Sequence, residues 1–152
     1  MKKTIKIDIN SKDDLFKKYN NTKISNDLIN YIIEEAMSDF NKEDKYEIII
    51  NNKTKSNIDI IPLIKNELKE EYNNVISNYD ENNIRQLMFL ILGIITLFIS
   101  VLIKEIILSE LTSVGVWVLF WHVIEIELFD DKDLRKKRKI LKKLLESKFI
   151  EK

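Results

Sequence analysis

Within residues 117–129, WVLFWHVIEIELF, the chain's single histidine, His122, stands three positions before Glu125 and five before Glu127. On a helix, a spacing of three brings His122 and Glu125 within hydrogen-bonding reach. A spacing of four sets Trp117, Trp121 and Glu125 on one face. An imidazole beside a carboxylate is the beginning of general-base chemistry, which still needs a nucleophile or a metal ion to act on. With one histidine and no cysteine in the chain, a zinc site of the usual kind is excluded, and neither a metal nor a cofactor is expected. Two other roles fit the same residues. Trp117 and Trp121 form a belt at a membrane–water boundary, where an apolar ring with one N–H is at home and Glu127 reaches the headgroups. Alternatively, His122, Glu125 and Glu127 are an intramembrane polar group, in which Glu125 pairs with His122 or with the same groups on a neighbouring copy. Such a pair would lock an oligomer or line a polar pathway, because uncompensated charge in lipid is costly.

Both readings depend on the segment crossing a membrane. Residues 87–103, LMFLILGIITLFISVLI, contain no charge and reach roughly 25 Å as a helix. Ile106, Ile107 and Leu108 extend this toward the roughly 30 Å of a hydrocarbon core. A second apolar run follows the SELTS stretch at 109–113 and extends to Phe129. The expected hairpin therefore occupies 84–129, with spans at about 84–108 and 111–129. A single span followed by an interfacial helix is the competing arrangement. Gly93, Thr96 and Ser100 lie on one stripe of the first span, and Gly115 interrupts the second. These small residues are candidate helix-packing positions, within the hairpin or between copies.

The average composition hides this segregation. Net charge is zero over 152 residues, but residues 1–83 carry 13 basic and 16 acidic side chains, while 130–152 carry 10 basic and 5 acidic. Disulfide and thiolate chemistry are excluded by the absence of cysteine. The only two glycines, Gly93 and Gly115, fall in the apolar region, so no glycine-rich phosphate loop exists.

Residues 1–83 predict a small cytoplasmic domain. TIKIDI at 4–9 alternates as a strand, with Ile5, Ile7 and Ile9 on one face. Ser11 caps a short helix reaching about Tyr19. Ser25 caps a second, with Ile24 and Ile29 at the spacing of a hydrophobic staple and Ile29, Ile32, Ile33, Ala36, Met37 and Phe40 on its apolar face. YEIII at 46–50 is another strand. A third helix starts near Asp59 with Pro62 in its first turn and buries Ile61, Ile64, Leu68, Tyr72, Val75, Ile76 and Tyr79. The asparagines at 73, 74, 78, 82 and 83 predict a hinge before the first span. Two strands make a poor sheet alone, so a free edge is available for pairing with another copy.

Residues 130–152 predict a basic amphipathic helix capped by Asp130 or Asp131. Leu134, Leu141, Leu145 and Phe149 share one face. Arg135, Lys136, Lys137, Arg138, Lys139, Lys142 and Lys143 serve as a topology signal or contact anionic lipid headgroups. In one version the helix lies on the inner leaflet. In the other its apolar stripe packs on the cytoplasmic domain. Because these cations follow the second span directly and the connecting loop offers only Lys104, both termini are expected in the cytoplasm. The first 14 residues have no apolar core of a signal peptide.

The whole is expected to be an α+β membrane protein: a cytoplasmic β-α-α-β-α domain, a two-helix transmembrane hairpin and a C-terminal basic helix. Its expected location is the inner (cytoplasmic) membrane of a bacterial cell, crossed twice. The leading functional reading is a non-enzymatic protein acting through self-assembly, as a homo-oligomer, or through a protein partner or small-molecule signal at the cytoplasmic domain. The alternative is an oligomeric pore or membrane-disrupting effector gated by that domain. A membrane-surface enzyme is a third possibility that no residue spacing supports. The partners expected are a bilayer with anionic headgroups and further copies of the chain, with no nucleic acid, since the basic run lacks aromatic neighbours.

Overall fold

In the computed structural model of the chain, residues 2–17, 20–38, 45–54 and 59–151 are described. The chain divides into two compact units, one formed by 1–75 together with 136–152 and the other by 76–135.

The first unit is built on a three-stranded parallel sheet in the order β1 (Lys2–Ile9), β4 (Lys45–Asn52), β5 (Lys148–Glu151). The strict alternation of β1 puts Ile5, Ile7 and Ile9 inside, while Thr4, Lys6 and Asp8 face water. Ile5 is in register with Ile48 and Ile7 with Ile50, so neighbouring strands present their isoleucines to one core. Between β1 and β4 come α1 (Lys12–Leu15), the short antiparallel pair β2 (Phe16–Lys17) and β3 (Asn20–Ile24), and α2 (Asn26–Ser38). The helix predicted to run from Ser11 toward Tyr19 is thus a single turn. Ser11 and Asp14 close a reciprocal capping box, and the chain then becomes extended at Phe16. Tyr19 and Phe40 lie outside the described residues.

At the start of α2 the Ser25 hydroxyl accepts from the Asp27 N–H at 3.2 Å, and Ile24 and Ile29 are buried as the staple requires. Ile32, Ile33 and Ala36 complete the buried face, with Met37 half-buried. Three side chains tie α2 to the sheet through main-chain carbonyls. Lys3 donates to Glu35 at 2.7 Å, Tyr46 to Ala36 at 3.1 Å, and Tyr31 to Lys6 at 3.4 Å.

Two features of the sequence reading change. The third helix and the first apolar run are one continuous helix, α3 (Ile60–Leu102), which passes through the asparagine-rich stretch without interruption. Its buried residues in the first unit are Ile60, Ile64, Leu68 and Val75; Ile61 and Tyr72 are only half-buried. The basic helix is also shorter than predicted. α5 (Asp131–Leu145) ends where Ser147 folds its N–H and its hydroxyl back onto the Leu144 carbonyl. Residues 148–151 then pair in parallel with β4, Phe149 opposite Ile48. As a strand the tail pairs the edge of β4, whose backbone groups a further helical turn would have left without ladder partners.

Of the two versions of the basic helix, the packed one is observed. Ile140, Leu141 and Leu144 are fully buried in the first unit. Of the face predicted from sequence only Leu141 is among them; Leu134, Leu145 and Phe149 are half-buried.

The second unit contains the later part of α3, a turn at residues 103–105, α4 (Ile106–Glu125), a π-helical turn (Ile126–Asp130) and the start of α5. The reversal falls at Lys104 and Glu105, not at 109–113, and Ile106–Leu108 begin the second helix. Two helices are long and apolar enough to cross a membrane. Only 11% and 6% of their apolar windows is buried, whereas the core helix of a water-soluble protein would be mostly covered. Ile107 is 83% exposed, Val101 80% and Trp117 77%.

Candidate functional site

Two polar clusters lie in the second unit. The first is the pair singled out from sequence. On α4 the Nδ1 of His122 lies 3.2 Å from Oε2 of Glu125; with the proton on Nδ1, the imidazole donates to the carboxylate. The ring of Phe89, on α3, stacks on the imidazole at 5.2 Å between centroids. Both members of the pair nevertheless remain about half-exposed, and Trp121 is exposed.

The second is a clasp that the sequence did not reveal. Asp131 is fully buried, and its two carboxylate oxygens accept from the side-chain amides of Asn82 at 3.1 Å and Gln86 at 3.2 Å. Asn82 and Gln86 are one helical turn apart on α3, so their amides point to the same side. Arg135 lies one turn beyond Asp131. It donates to the Asp131 carbonyl at 3.3 Å, to the Glu127 carbonyl at 3.2 Å and to the Glu127 carboxylate at 2.6 Å. The hydrogen bond to Glu127 raises the Arg135 pKa above its ordinary value, so the guanidinium is firmly cationic. Glu127, read from sequence as part of the His122 group, therefore belongs to the clasp instead.

The π-helical turn positions these residues. Its extra residue per turn carries the Asp131 N–H back to the Ile126 carbonyl, five positions earlier. The turn thereby shifts the phase of the helix where the apolar run stops and the clasp begins. The hint available in the sequence was symmetry: Asn82 and Gln86 immediately precede the first apolar run, and Asp131 immediately follows the second.

Between these polar groups and the turn at 103–105 the helices meet through small residues. A Cβ built on Gly93 would lie 3.5 Å from the Phe120 ring, and the Ser100 and Ser113 hydroxyls are 3.4 Å apart. Thr96 donates to the Leu92 carbonyl within its own helix. Of the Gly93–Thr96–Ser100 stripe, Gly93 and Ser100 are accordingly engaged inside the hairpin. Gly115 differs: nothing lies within 4 Å of the Cβ it lacks.

The basic residues divide as well. Lys136, Arg138, Lys139 and Lys142 are exposed, Lys143 is half-buried, and Lys137 reaches Glu71 at 2.6 Å. In the first unit a polar cleft of about 280 Å³ is lined by Lys17, Asn26, Asn30, Glu67, Glu70 and Asn74, among others. Its carboxylates face lysines, Glu67 with Lys17 at 3.9 Å and Glu70 with Lys23 at 3.6 Å. Among the described residues no three histidine or acidic side chains converge as metal ligands. Compared with protein-family models, curated proteins and solved structures, the chain matches none.

Proposed function

We propose that this protein is a non-enzymatic integral membrane protein: an αβ unit on the cytoplasmic face, held by a two-span hairpin in the inner membrane and acting through self-assembly or a protein partner of that unit. One observation carries the reading. The chain leaves the αβ unit after Val75 and rejoins it at Lys136, and the excursion between consists of two helices whose large apolar residues stand exposed. A segment that starts and finishes in one folded unit crosses a bilayer an even number of times or not at all. The exposed Leu, Ile, Phe and Trp surface is costly in water and at no cost in hydrocarbon. The reversal is three residues long, and hydroxyls such as Thr96, Thr112 and Ser113 bond to carbonyls of their own helix, as helices surrounded by lipid require.

Orientation follows from charge. Lys132 and residues 135–139, all basic, adjoin the base of the hairpin, and Lys104 is the only cation at its turn. Nothing in the arrangement of Glu67, Glu70 and Lys17 supplies a nucleophile beside a free base, so a scaffold or assembly role is favoured over catalysis.

The test is extraction. Membranes containing the protein are washed with high salt and then alkaline carbonate. Retention in the pellet until detergent is added is the expected result. Release into carbonate, or purification from plain buffer as a monodisperse particle, would overturn the reading.

A further inference from the structure

Along α5 the cations divide into two sets. Arg135 and Lys137 are engaged by Glu127 and Glu71, each at 2.6 Å. Lys132, Lys136, Arg138, Lys139 and Lys142 are exposed, and none of them meets a carboxylate among the described residues. At about 100° per residue these five span an arc of roughly 160°, and the fully buried Ile140, Leu141 and Leu144 occupy the other side. Within the arc Lys132 and Lys136 are spaced by four, as are Arg138 and Lys142, while Lys136 and Lys139 are spaced by three. Like charges at these spacings repel one another and weaken a helix. A face that breaks this local rule, with no compensating contact inside the protein, is marked for an anionic partner outside it.

We infer that this face of α5, centred on Lys132, Lys136 and Lys139, binds the headgroups of anionic lipids by charge alone. The inference rests on the membrane reading above. The helix says which anion lies within reach. The second apolar run ends at Phe129, and Lys132, Lys136 and Lys139 follow it by three, seven and ten residues. Along a helix axis that is about 5, 10 and 15 Å at most, and any tilt brings them closer to the lipid. The headgroup layer is about 5–7 Å deep on each side of the hydrocarbon, and its potential extends roughly 8 Å further at physiological salt. The three lysines fall within that reach whatever the tilt, whereas Lys142, about 20 Å along, does so only if the helix leans. The buried side of α5 is already covered by protein, so this contact adds no apolar insertion. It is an electrostatic hold at the cytoplasmic leaflet, strong at low salt and weak at high salt.

The test uses the full chain reconstituted in phosphatidylcholine vesicles with a trace of spin-labelled phosphatidylglycerol or spin-labelled phosphatidylcholine. Electron spin resonance then gives the share of each lipid held at the protein surface. At low salt the parent chain should favour phosphatidylglycerol about fivefold or more, the effect of one well-placed cation at an anionic surface. At about 0.5 M salt the preference should fall to about twofold or less, because the charges are screened within a few ångströms. Lys136→Gln combined with Lys139→Gln should abolish most of the preference, and Lys136→Arg with Lys139→Arg should keep it. Lys6→Gln with Lys45→Gln removes the same charge from exposed positions of the sheet and should leave it unchanged. Equal loss in the two glutamine pairs would assign the effect to net charge and overturn the inference, as would a preference that survives high salt. No preference in the parent chain would also overturn it, and is the result expected if an acidic protein covers this face instead. Carbonate extraction of the same vesicles separates the two levels. Release of the parent chain defeats the hairpin itself, whereas retention without a headgroup preference defeats this inference alone.

Discussion

At the scale of single residues, Asp131 is the position on which most depends. A buried carboxylate survives because both oxygens are occupied, and removing it leaves the buried Asn82 amide and the half-buried Gln86 amide without their acceptors. Asp131→Ala should therefore destabilise the hairpin by about 1–3 kcal/mol, read as a fall in thermal midpoint in detergent. Asp131→Asn, which keeps one acceptor oxygen, should cost less; equal loss in both would mean that shape rather than hydrogen bonding matters there. In the αβ unit, Asp14 titrates with folding. Its carboxyl is held below the ordinary value, first by the Ser11 N–H and then by the Ser11 hydroxyl. A depressed folded pKa contributes stability that is present above the unfolded value and lost as pH falls through the folded one. The stability difference between the parent chain and Asp14→Asn should thus shrink below about pH 4. A difference unchanged between pH 7 and pH 3 would reject the capping-box contribution.

At the scale of elements, α5 joins the apolar hairpin to the αβ core through its sequence. Its buried Leu141 predicts that Leu141→Ala costs roughly 2–5 kcal/mol, measured by hydrogen exchange of β4 amides in the full chain. Lys142→Gln, on its exposed side, should change that exchange by little. Within the hairpin, Gly93→Ala places a methyl group at ordinary contact distance from Phe120 and should be tolerated. Gly93→Leu has no such room and should lower the thermal midpoint. Some of these elements were legible in the sequence because a local pattern specifies them: the alternation of Ile5, Ile7 and Ile9, the Ser25 cap, and the uncharged run at 87–103. β5 was hidden because Leu141, Leu145 and Phe149 keep a helical spacing across a boundary set by β4, about a hundred residues away. The burial of Asp131 was equally hidden, since an aspartate after an apolar run resembles any helix cap until Asn82 and Gln86 are found beside it. Interactions remote in sequence leave no local trace.

At the scale of the molecule, the two apolar helices interrupt a fold whose sheet needs both sides of the interruption. β4 lies between β1 and β5, and β5 lies beyond the hairpin. Completion of the αβ unit therefore depends on the chain beyond the apolar helices: a chain truncated before residue 136 loses most of α5 and all of β5, and should expose the apolar residues they cover. The most direct test of this arrangement uses single cysteines at Thr4, Glu105 and Lys142 in intact cells, labelled with a membrane-impermeant maleimide. Labelling at Glu105 alone is predicted, with Thr4 and Lys142 reacting only once the membrane is opened. Labelling of Thr4 and Lys142 from opposite sides, or shielding of all three positions, would contradict a hairpin that leaves one folded unit and returns to it.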